Sequence, residues 1–261
     1  MTDLFNSILL GILQGVTEFL PVSSSGHLVL AQSILPGFSA PSAAFDILLH
    51  GGTLIAVIAY FYRDIIEMIV GMVRPREGGW KLPLLLVVGS VPVGLVGFLL
   101  MDAIKPLFSS PRVASGGLLF TGVLLLIASR LRGGRTRMSE ITVGSAVLIG
   151  CFQAVAVTPG VSRSGATIAA AMLVGLSATE AARFSFLLSI PAVGGAVLLE
   201  GKSILGAGHM AVYLAGALAA AVAGWLSIAL LMKVLAKGKL LPFAVYCLSI
   251  GFLSLVFLVG S

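Results

Sequence analysis

Six apolar stretches, each long enough to cross a lipid bilayer, restrict the folds open to this chain more than any other feature. A helix needs about 17–25 residues to cross the hydrocarbon core. The stretches are residues 43–62, 82–101, 113–129, 183–199, 211–232 and 241–259. Only 10% of the 261 residues are charged, against about 25% in soluble domains. The sequence therefore predicts an all-α integral membrane protein, with six transmembrane helices in a single membrane domain.

Two further apolar regions are interrupted by serine-rich turns. Residues 4–20 end at Pro21, and residues 141–158 end at Pro159. The apolar segment that follows each turn is too short to span a membrane. Each region is therefore predicted to be a re-entrant helical hairpin, whose irregular turn must be buried in protein or line a polar cavity.

An internal repeat relates the two hairpins. A shift of 139 residues, without gaps, places Gln14 on Gln153 and the segment Val-Ser-Ser-Ser-Gly at 22–26 on Val-Ser-Arg-Ser-Gly at 161–165. The halves are approximately residues 1–139 and 140–261. Each half contains one hairpin and three spans. Because three is odd, the second half must enter from the opposite face, which predicts an inverted-topology repeat.

The placement of lysine and arginine predicts the orientation. Residues 63–81, 130–137 and 233–239 carry four, four and three basic residues, whereas residues 105–112 and the loop around Lys202 carry two and one. Loops rich in basic residues stay in the cytoplasm. Both termini are then outside, the hairpins enter from opposite faces, and their turns are expected to meet near the midplane.

Charge, cysteine and glycine limit the partners of the chain. The net charge of +6 comes from basic residues scattered among loops, which indicates contact with anionic membrane lipids and no binding of nucleic acid. Cys151 and Cys247 are predicted to be buried, small apolar side chains. Gly89, Gly94 and Gly97 suit close helix packing, either within one subunit or between the subunits of a homodimer.

Two ionisable residues lie within the hairpins, at a depth where charge is costly and is usually retained for function. Glu18 is the one acidic residue of the hairpin segments, and Arg163 is the one arginine or lysine in the turns. Both are candidate catalytic residues. The alternative is a structural ion pair that joins the two hairpins.

The turns are also rich in hydroxyl groups and glycine. This group comprises Ser23, Ser24, Ser25, Gly26, Gly160, Ser162, Ser164 and Thr167. Glycine lets the backbone approach a ligand, and the helix after each turn presents free N–H groups, so together with Arg163 the pattern predicts an oxyanion site. The alternative is that the hydroxyls cap the short second helices, which would explain one serine in each turn.

Four other polar residues are candidates for supporting roles. His27 could transfer protons or attack phosphorus itself, or be a hydrogen-bonded structural residue. Gln14 and Glu18 are four residues apart and share a helix face, which could hold a divalent cation or orient a water molecule. Asp46 and His50 form a second pair with the same spacing. They either form a polar pair at a helix end or hold the residues of the site in position.

The segments from Gln14 to His27 (QGVTEFLPVSSSGH) and from Pro159 to Thr167 (PGVSRSGAT) resemble the two signatures of the bacterial undecaprenyl-pyrophosphate phosphatases of the bacitracin-resistance type. The resemblance extends over the whole chain in length, hydropathy and repeat layout. It implies a hydrolase that converts undecaprenyl pyrophosphate to the monophosphate carrier of cell-wall polymers. It further implies dependence on Mg²⁺ or Ca²⁺, and a site in the inner membrane that opens to the periplasm.

The resemblance also implies roles for individual residues. Gln14 and Glu18 would serve the metal or proton transfer, while Ser24 and His27 are competing nucleophiles. We favour Ser24, activated by His27, over direct attack by His27. The residues expected to bind the pyrophosphate are Arg163 with Ser23, Ser25, Gly26, Gly160, Ser162, Ser164 and Thr167. The amide of Gln14 cannot act as a base, which weakens any mechanism that needs two carboxylates there.

Two rival functions were compared with this prediction. Lipid phosphatases of the phosphatidic-acid type also use Ser-Gly-His, but Ala169 stands where their second histidine is required, which excludes that family. The second rival is a transporter or flippase of lipid phosphates. Inverted repeats with broken helices are common in transporters, so the sequence leaves transport open as an alternative.

Overall fold

The helices of the chain follow its apolar stretches. The computed structural model describes residues 2–34, 43–73, 79–131, 134, 136–200 and 210–259, and the regular elements within these ranges are all helical, as predicted. They are α1 (Thr2–Phe19), α2 (Ser24–Ile34), α3 (Ala43–Tyr60), α4 (Tyr62–Val73), α5 (Lys81–Leu99), α6 (Met101–Ile104), α7 (Pro111–Arg130), α8 (Val143–Val155), α9 (Arg163–Leu173), α10 (Ala178–Glu200), α11 (Met210–Leu235) and α12 (Leu241–Val259). A 3-10 helix, Lys105–Ser109, follows α6.

Four helices, α5, α7, α10 and α11, are long and apolar enough to cross a membrane. Helices α3 and α4 meet at a bend of 73° and give a fifth span if they are counted together. Large apolar side chains such as Phe98 and Leu198 are exposed on the outside of the bundle, where a soluble protein would carry polar groups. The chain is a multi-pass membrane protein.

Two pairs of helices are separated by short turns at the predicted breaks. Helix α2 follows α1 after four residues, and α9 follows α8 after seven. Helices α2 and α9 have 11 residues each, about 16 Å of helix, which is half of what a span needs. Helix α9 is almost entirely buried and packs against α7, α8 and α10. The second turn therefore lies inside protein.

Close approaches between helices occur at small residues. Helix α1 packs against α11, α5 against α8, and α7 against α12. Gly89 of α5 contacts Gly150 of α8, so this predicted packing glycine is used within the chain. Gly94 and Gly97 have no heavy atom within 4 Å of where a Cβ would stand.

The prediction for one cysteine was wrong. Cys247 is buried in α12, as expected, but Cys151 is exposed on the outer face of α8. The reason is that a membrane protein has two apolar surroundings, its own core and the lipid chains. An apolar stretch therefore does not indicate which of its side chains are buried. Lys202 and its loop lie outside the described residues.

Candidate active site

The two serine-rich turns are in contact with each other. A Cβ atom on Gly26 of the first turn would stand 2.9 Å from the Cα of Gly160 in the second. The hydroxyl of Ser164 donates to the carbonyl of Leu20 at 3.2 Å. Gly160 has a φ of +86°, and Ser23 has a φ of +70°, which is unusual for a residue with a side chain. For a residue other than glycine, such backbone costs about 1–3 kcal/mol and is concentrated at functional sites.

An ion pair joins α1 and α9 across this contact. Arg163 Nη2 donates to Glu18 Oε1 at 2.7 Å, and both side chains are largely buried. The other oxygen, Glu18 Oε2, accepts hydrogen bonds from Ser24 Oγ at 2.7 Å and from Gln14 Nε2 at 3.0 Å. The ion pair considered as the alternative on sequence therefore exists, and its carboxylate is also bonded to one of the two candidate nucleophiles.

His27 is bonded elsewhere. Its Nδ1 lies 2.7 Å from the carbonyl oxygen of Ser23 and must donate, because a carbonyl only accepts. Its Nε2 lies 2.7 Å from the hydroxyl of Tyr246, and the two rings are nearly parallel, at 7°. In the neutral imidazole Nε2 then accepts from Tyr246. The hydrogen-bond partner of Ser24 is thus Glu18 and not His27, which differs from the arrangement that we favoured on sequence.

One serine in each turn caps the following helix. Ser23 Oγ accepts from the backbone N–H of Gly26 at 3.2 Å, and Ser162 Oγ accepts from that of Gly165 at 3.1 Å. The capping interpretation is confirmed for these two. The hydroxyl of Ser25 lies 3.3 Å from that of Ser23. Ser24 is not a cap, so its hydroxyl is available for other chemistry.

Two threonines form hydrogen bonds with the backbone of the second turn and of the first residue of α9. The hydroxyl of Thr167 donates to the carbonyl of Arg163 at 2.7 Å, lies 2.5 Å from that of Ser185, and is fully buried. Thr121 of α7 donates to the carbonyl of Gly160 at 3.2 Å and accepts from the N–H of Ser162 at 2.9 Å. Thr167 is therefore next to Arg163, but its hydroxyl is directed into the protein.

The other predicted residues lie around this centre. Gln14 Nε2 is 3.3 Å from His50 Nδ1, so Gln14 links His50 to Glu18. Asp46 lies one turn earlier on α3 and is partly buried. His50 and Arg163 also line a cavity of about 180 Å³ that opens beside the ion pair. Sequence reasoning assigned no role to Tyr246, because its approach to His27 depends on how α12 packs.

The described residues do not by themselves form a metal site. They include no group of three or more His, Cys, Asp and Glu side chains that could hold an ion. The one carboxylate present, Glu18, has both oxygens in hydrogen bonds and lies next to the cationic Arg163, while Gln14 presents its nitrogen to it. A divalent cation would have to take most of its oxygen ligands from a bound phosphate and from water.

The chain is similar to known proteins over nearly its whole length. The family model described as bacitracin resistance protein BacA matches residues 7–253. A protein named undecaprenyl-diphosphatase from Desulforapulum autotrophicum is 40% identical and aligns with 97% of this chain and 98% of its own. Proteins of the same name from Syntrophotalea carbinolica (44% identical; 94% and 95% covered) and Methanosphaera stadtmanae (40%; 98% and 98%) are similar over equal lengths.

Proposed function

The chain belongs to the bacitracin resistance protein BacA family, and we propose that the two joined turns are the active site of its phosphatase activity. The protein dephosphorylates undecaprenyl pyrophosphate to undecaprenyl phosphate and inorganic phosphate, an activity associated with bacitracin resistance. Its substrate is a polyprenyl pyrophosphate lipid. The observation that carries the site assignment is the hydroxyl of Ser24 bonded to a carboxylate that Arg163 holds in place.

Ser24 is the nucleophile in this proposal, and Glu18 is its general base. Glu18 Oε2 accepts the Ser24 proton as Oγ attacks the terminal phosphorus, and the bond from that phosphorus to the bridging oxygen breaks. Undecaprenyl phosphate leaves as an anion. Water then attacks the phosphoserine, inorganic phosphate is released, and the proton held by Glu18 returns to Ser24. The 2.7 Å hydrogen bond between the two side chains supports this direction of transfer.

Arg163 and the turns supply positive potential. One edge of the Arg163 guanidinium orients Glu18, and Nη1 on the other edge, which has no hydrogen-bond partner among the described residues, would bind phosphate oxygens. The N-termini of α2 and α9 present N–H groups to an anion between them. His27 is kept in one orientation by Ser23 and Tyr246. Since both of its ring nitrogens are bonded, this geometry favours Ser24 as the nucleophile.

The Mg²⁺ or Ca²⁺ expected from the resemblance is proposed to arrive with the substrate. The site offers one carboxylate that is already bonded, so the phosphates are the better source of oxygen ligands. When bound, the cation would neutralise charge on the diphosphate. Glu18 is the protein residue that could complete its coordination, and Gln14 could join only if its amide turned to present oxygen.

We propose six transmembrane helices and two re-entrant hairpins, arranged as inverted repeats of approximately residues 1–139 and 140–261. The shift of 139 residues carries the bounds of α2 onto those of α9. The same shift places α1 on α8 and α5 on α11. The packed pair of α1 and α11 therefore corresponds to the packed pair of α8 and α5. Both observations support the repeat.

We also propose that the protein lies in the bacterial inner membrane with its termini outside and its site open to the periplasm. Contacts between α10 and the predicted cytoplasmic segments around Asp64 and Met138 support their placement on one side of the membrane. Asp64, from the first of these loops, pairs with Arg183, while Glu180 accepts from Arg183 and from the backbone N–H of Met138. The predicted cytoplasmic segments therefore meet at one end of the bundle. A homodimer that packs through the open face at Gly94 and Gly97 is proposed for the oligomeric state.

The test is phosphate release from purified protein, with undecaprenyl pyrophosphate and shorter prenyl pyrophosphates, in the presence and absence of a chelator. We expect release that requires Ser24 and Arg163 and that falls when divalent cations are removed. Binding of the lipid without release, or full activity in Arg163→Ala, would contradict the proposal. No observation on the described residues favours the transport alternative.

A further inference from the structure

Three buried side-chain polar atoms in the described part of the chain have no hydrogen-bond partner there. Among the described residues, the buried side-chain nitrogen and oxygen atoms without a hydrogen bond are Nε2 and Oε1 of Gln153 and Nη1 of Arg163. Gln153 is 1% exposed. Buried polar groups are nearly always bonded in native proteins, because leaving one unbonded costs about 1–3 kcal/mol. These atoms are therefore expected to bind something that the protein chain does not itself provide.

Gln153 and Arg163 line the same cavity of about 180 Å³. The third polar residue of its wall is His50, and the remaining wall is aliphatic, with Val93 from α5 and Val193 from α10. Amide and guanidinium N–H groups recognise an oxyanion, and aliphatic walls accept hydrocarbon. A phosphate with an apolar chain attached would accept from both N–H groups and fill the aliphatic part of the cavity, while Oε1 of Gln153, which is itself an acceptor, would need a donor such as water.

The cavity lies to one side of the nucleophile. Neither Ser24 nor Glu18 lines it, whereas Arg163 borders both regions, with Nη2 on Glu18 and Nη1 without a protein partner. A diphosphate that spans Arg163 would place one phosphorus at Ser24 and the other in the cavity. Because the phosphate next to the prenyl chain is not attacked, it is the one that belongs in the aliphatic cavity.

The repeat gives an independent reason why Gln153 has no partner. The shift of 139 residues places Gln14 on Gln153, Glu18 on Val157 and His50 on Ser189. Gln14 binds both Glu18 and His50, but Val157 offers no polar group, and the hydroxyl of Ser189 donates to a backbone carbonyl. The second half therefore keeps the glutamine amide but lacks the carboxylate and the imidazole that bind the amide of Gln14 in the first half.

We propose that Gln153 is a substrate-binding residue, which together with Nη1 of Arg163 binds the phosphate next to the prenyl chain while the terminal phosphate lies at Ser24. This inference rests on the proposed function. It gives the second half of the repeat a defined task, which is to hold the leaving group and to distinguish prenyl diphosphates from ligands with a single phosphate.

The test uses Gln153→Met, which keeps the length of the side chain and removes its hydrogen bonds. We expect kcat/KM for undecaprenyl pyrophosphate to fall about 10- to 100-fold, the equivalent of one hydrogen bond to a charged group, mostly through KM. Binding of a C15 prenyl methylene-diphosphonate should weaken by a similar factor. The Tm of the ligand-free protein should stay level or rise, since two unbonded polar atoms are removed. Cys151→Ala, on the exposed side of the same helix, is the matched control.

Gln153→Glu adds a second measurement, because a carboxylate of the same size repels phosphate and should weaken diphosphonate binding more than Gln153→Met does. The inference is overturned if Gln153→Met binds the diphosphonate as wild type does, or if Gln153→Glu binds it more tightly than Gln153→Met. Failure of the proposed function is distinct, since the wild-type protein would then release no phosphate, whether or not it binds the diphosphonate.

Discussion

The carboxylate of Glu18 contacts three side chains, and each contact limits a different property of the site. Arg163 compensates its charge, Gln14 fixes its orientation, and Ser24 donates to it. An acid at this depth without such partners would be expensive. The same contacts place a base at hydrogen-bond distance from Ser24. Glu18 is therefore both the buried charge that the site has to stabilise and the group that activates the nucleophile.

Replacement of Glu18 by glutamine tests this connection. Glu18→Gln keeps the size of the side chain and removes the base, so kcat should fall about 100- to 10,000-fold. Binding of a prenyl diphosphonate should persist, because Arg163 is then free to bind phosphate with both edges. Steady-state kinetics and a binding titration measure the two effects. Turnover within threefold of wild type would show that another group takes the proton from Ser24.

The hydrogen bond from Tyr246 to His27 predicts a smaller effect. Tyr246→Phe removes the hydroxyl and keeps the ring, so His27 loses its restraint at Nε2 and kcat/KM should fall about 2- to 10-fold. Tyr62→Phe is the control, because its hydroxyl contacts the exposed Arg63 instead. Unchanged kinetics in Tyr246→Phe, with both variants equally stable, would mean that His27 is oriented by Ser23 alone.

At the scale of helices, the second turn is held in place by α7. Thr121 bonds to both sides of that turn, and Gly117 lets its backbone approach the helix. A Cβ on Gly117 would stand 2.6 Å from the carbonyl carbon of Gly160 and 2.7 Å from the nitrogen of Val161. Since these are backbone atoms, the turn itself would have to move.

Two adjacent glycines of α7 provide a matched pair of variants. Gly117→Ala should lower stability by about 1–3 kcal/mol through overpacking, and should lower kcat/KM at least about tenfold because Arg163 moves with the turn. Gly116→Ala adds the same atom where nothing lies within 4 Å. It should retain activity and gain up to about 1 kcal/mol of helix stability. Thermal unfolding and phosphate release measure both. Equal behaviour of the two variants would contradict the close contact.

The helices and the two breaks between them could be predicted from the sequence because hydropathy and prolines determine them locally. The bounds of α2 and α9 follow from the breaks at Pro21 and Pro159. The contacts of individual side chains could not be predicted in this way. Tyr246 is far from His27 in sequence, and the exposed face of α8 at Cys151 is as apolar as a buried one. Which helix faces lipid is decided only when the whole bundle packs.

For the whole molecule, the orientation in the membrane is testable with cysteine labelling. In a protein with Cys151 and Cys247 replaced by alanine, Lys105→Cys should react on intact cells with a membrane-impermeant maleimide. Lys237→Cys should react only after permeabilisation, because its loop is predicted to be cytoplasmic. Both lysines are exposed, so the pair differs chiefly in membrane side. The reverse pattern would invert the proposed topology.

In the proposed reaction the hydroxyl of Ser24, held by Glu18 where the two turns meet, attacks the terminal phosphorus. Rapid quenching of the reaction with substrate labelled with ³²P in its terminal phosphate, followed by peptide mapping, tests this most directly. We predict label on the peptide that contains Ser24, in an acid-stable bond typical of phosphoserine, and its loss in Ser24→Ala. Label on His27, or no labelled protein at any quench time, would contradict the account.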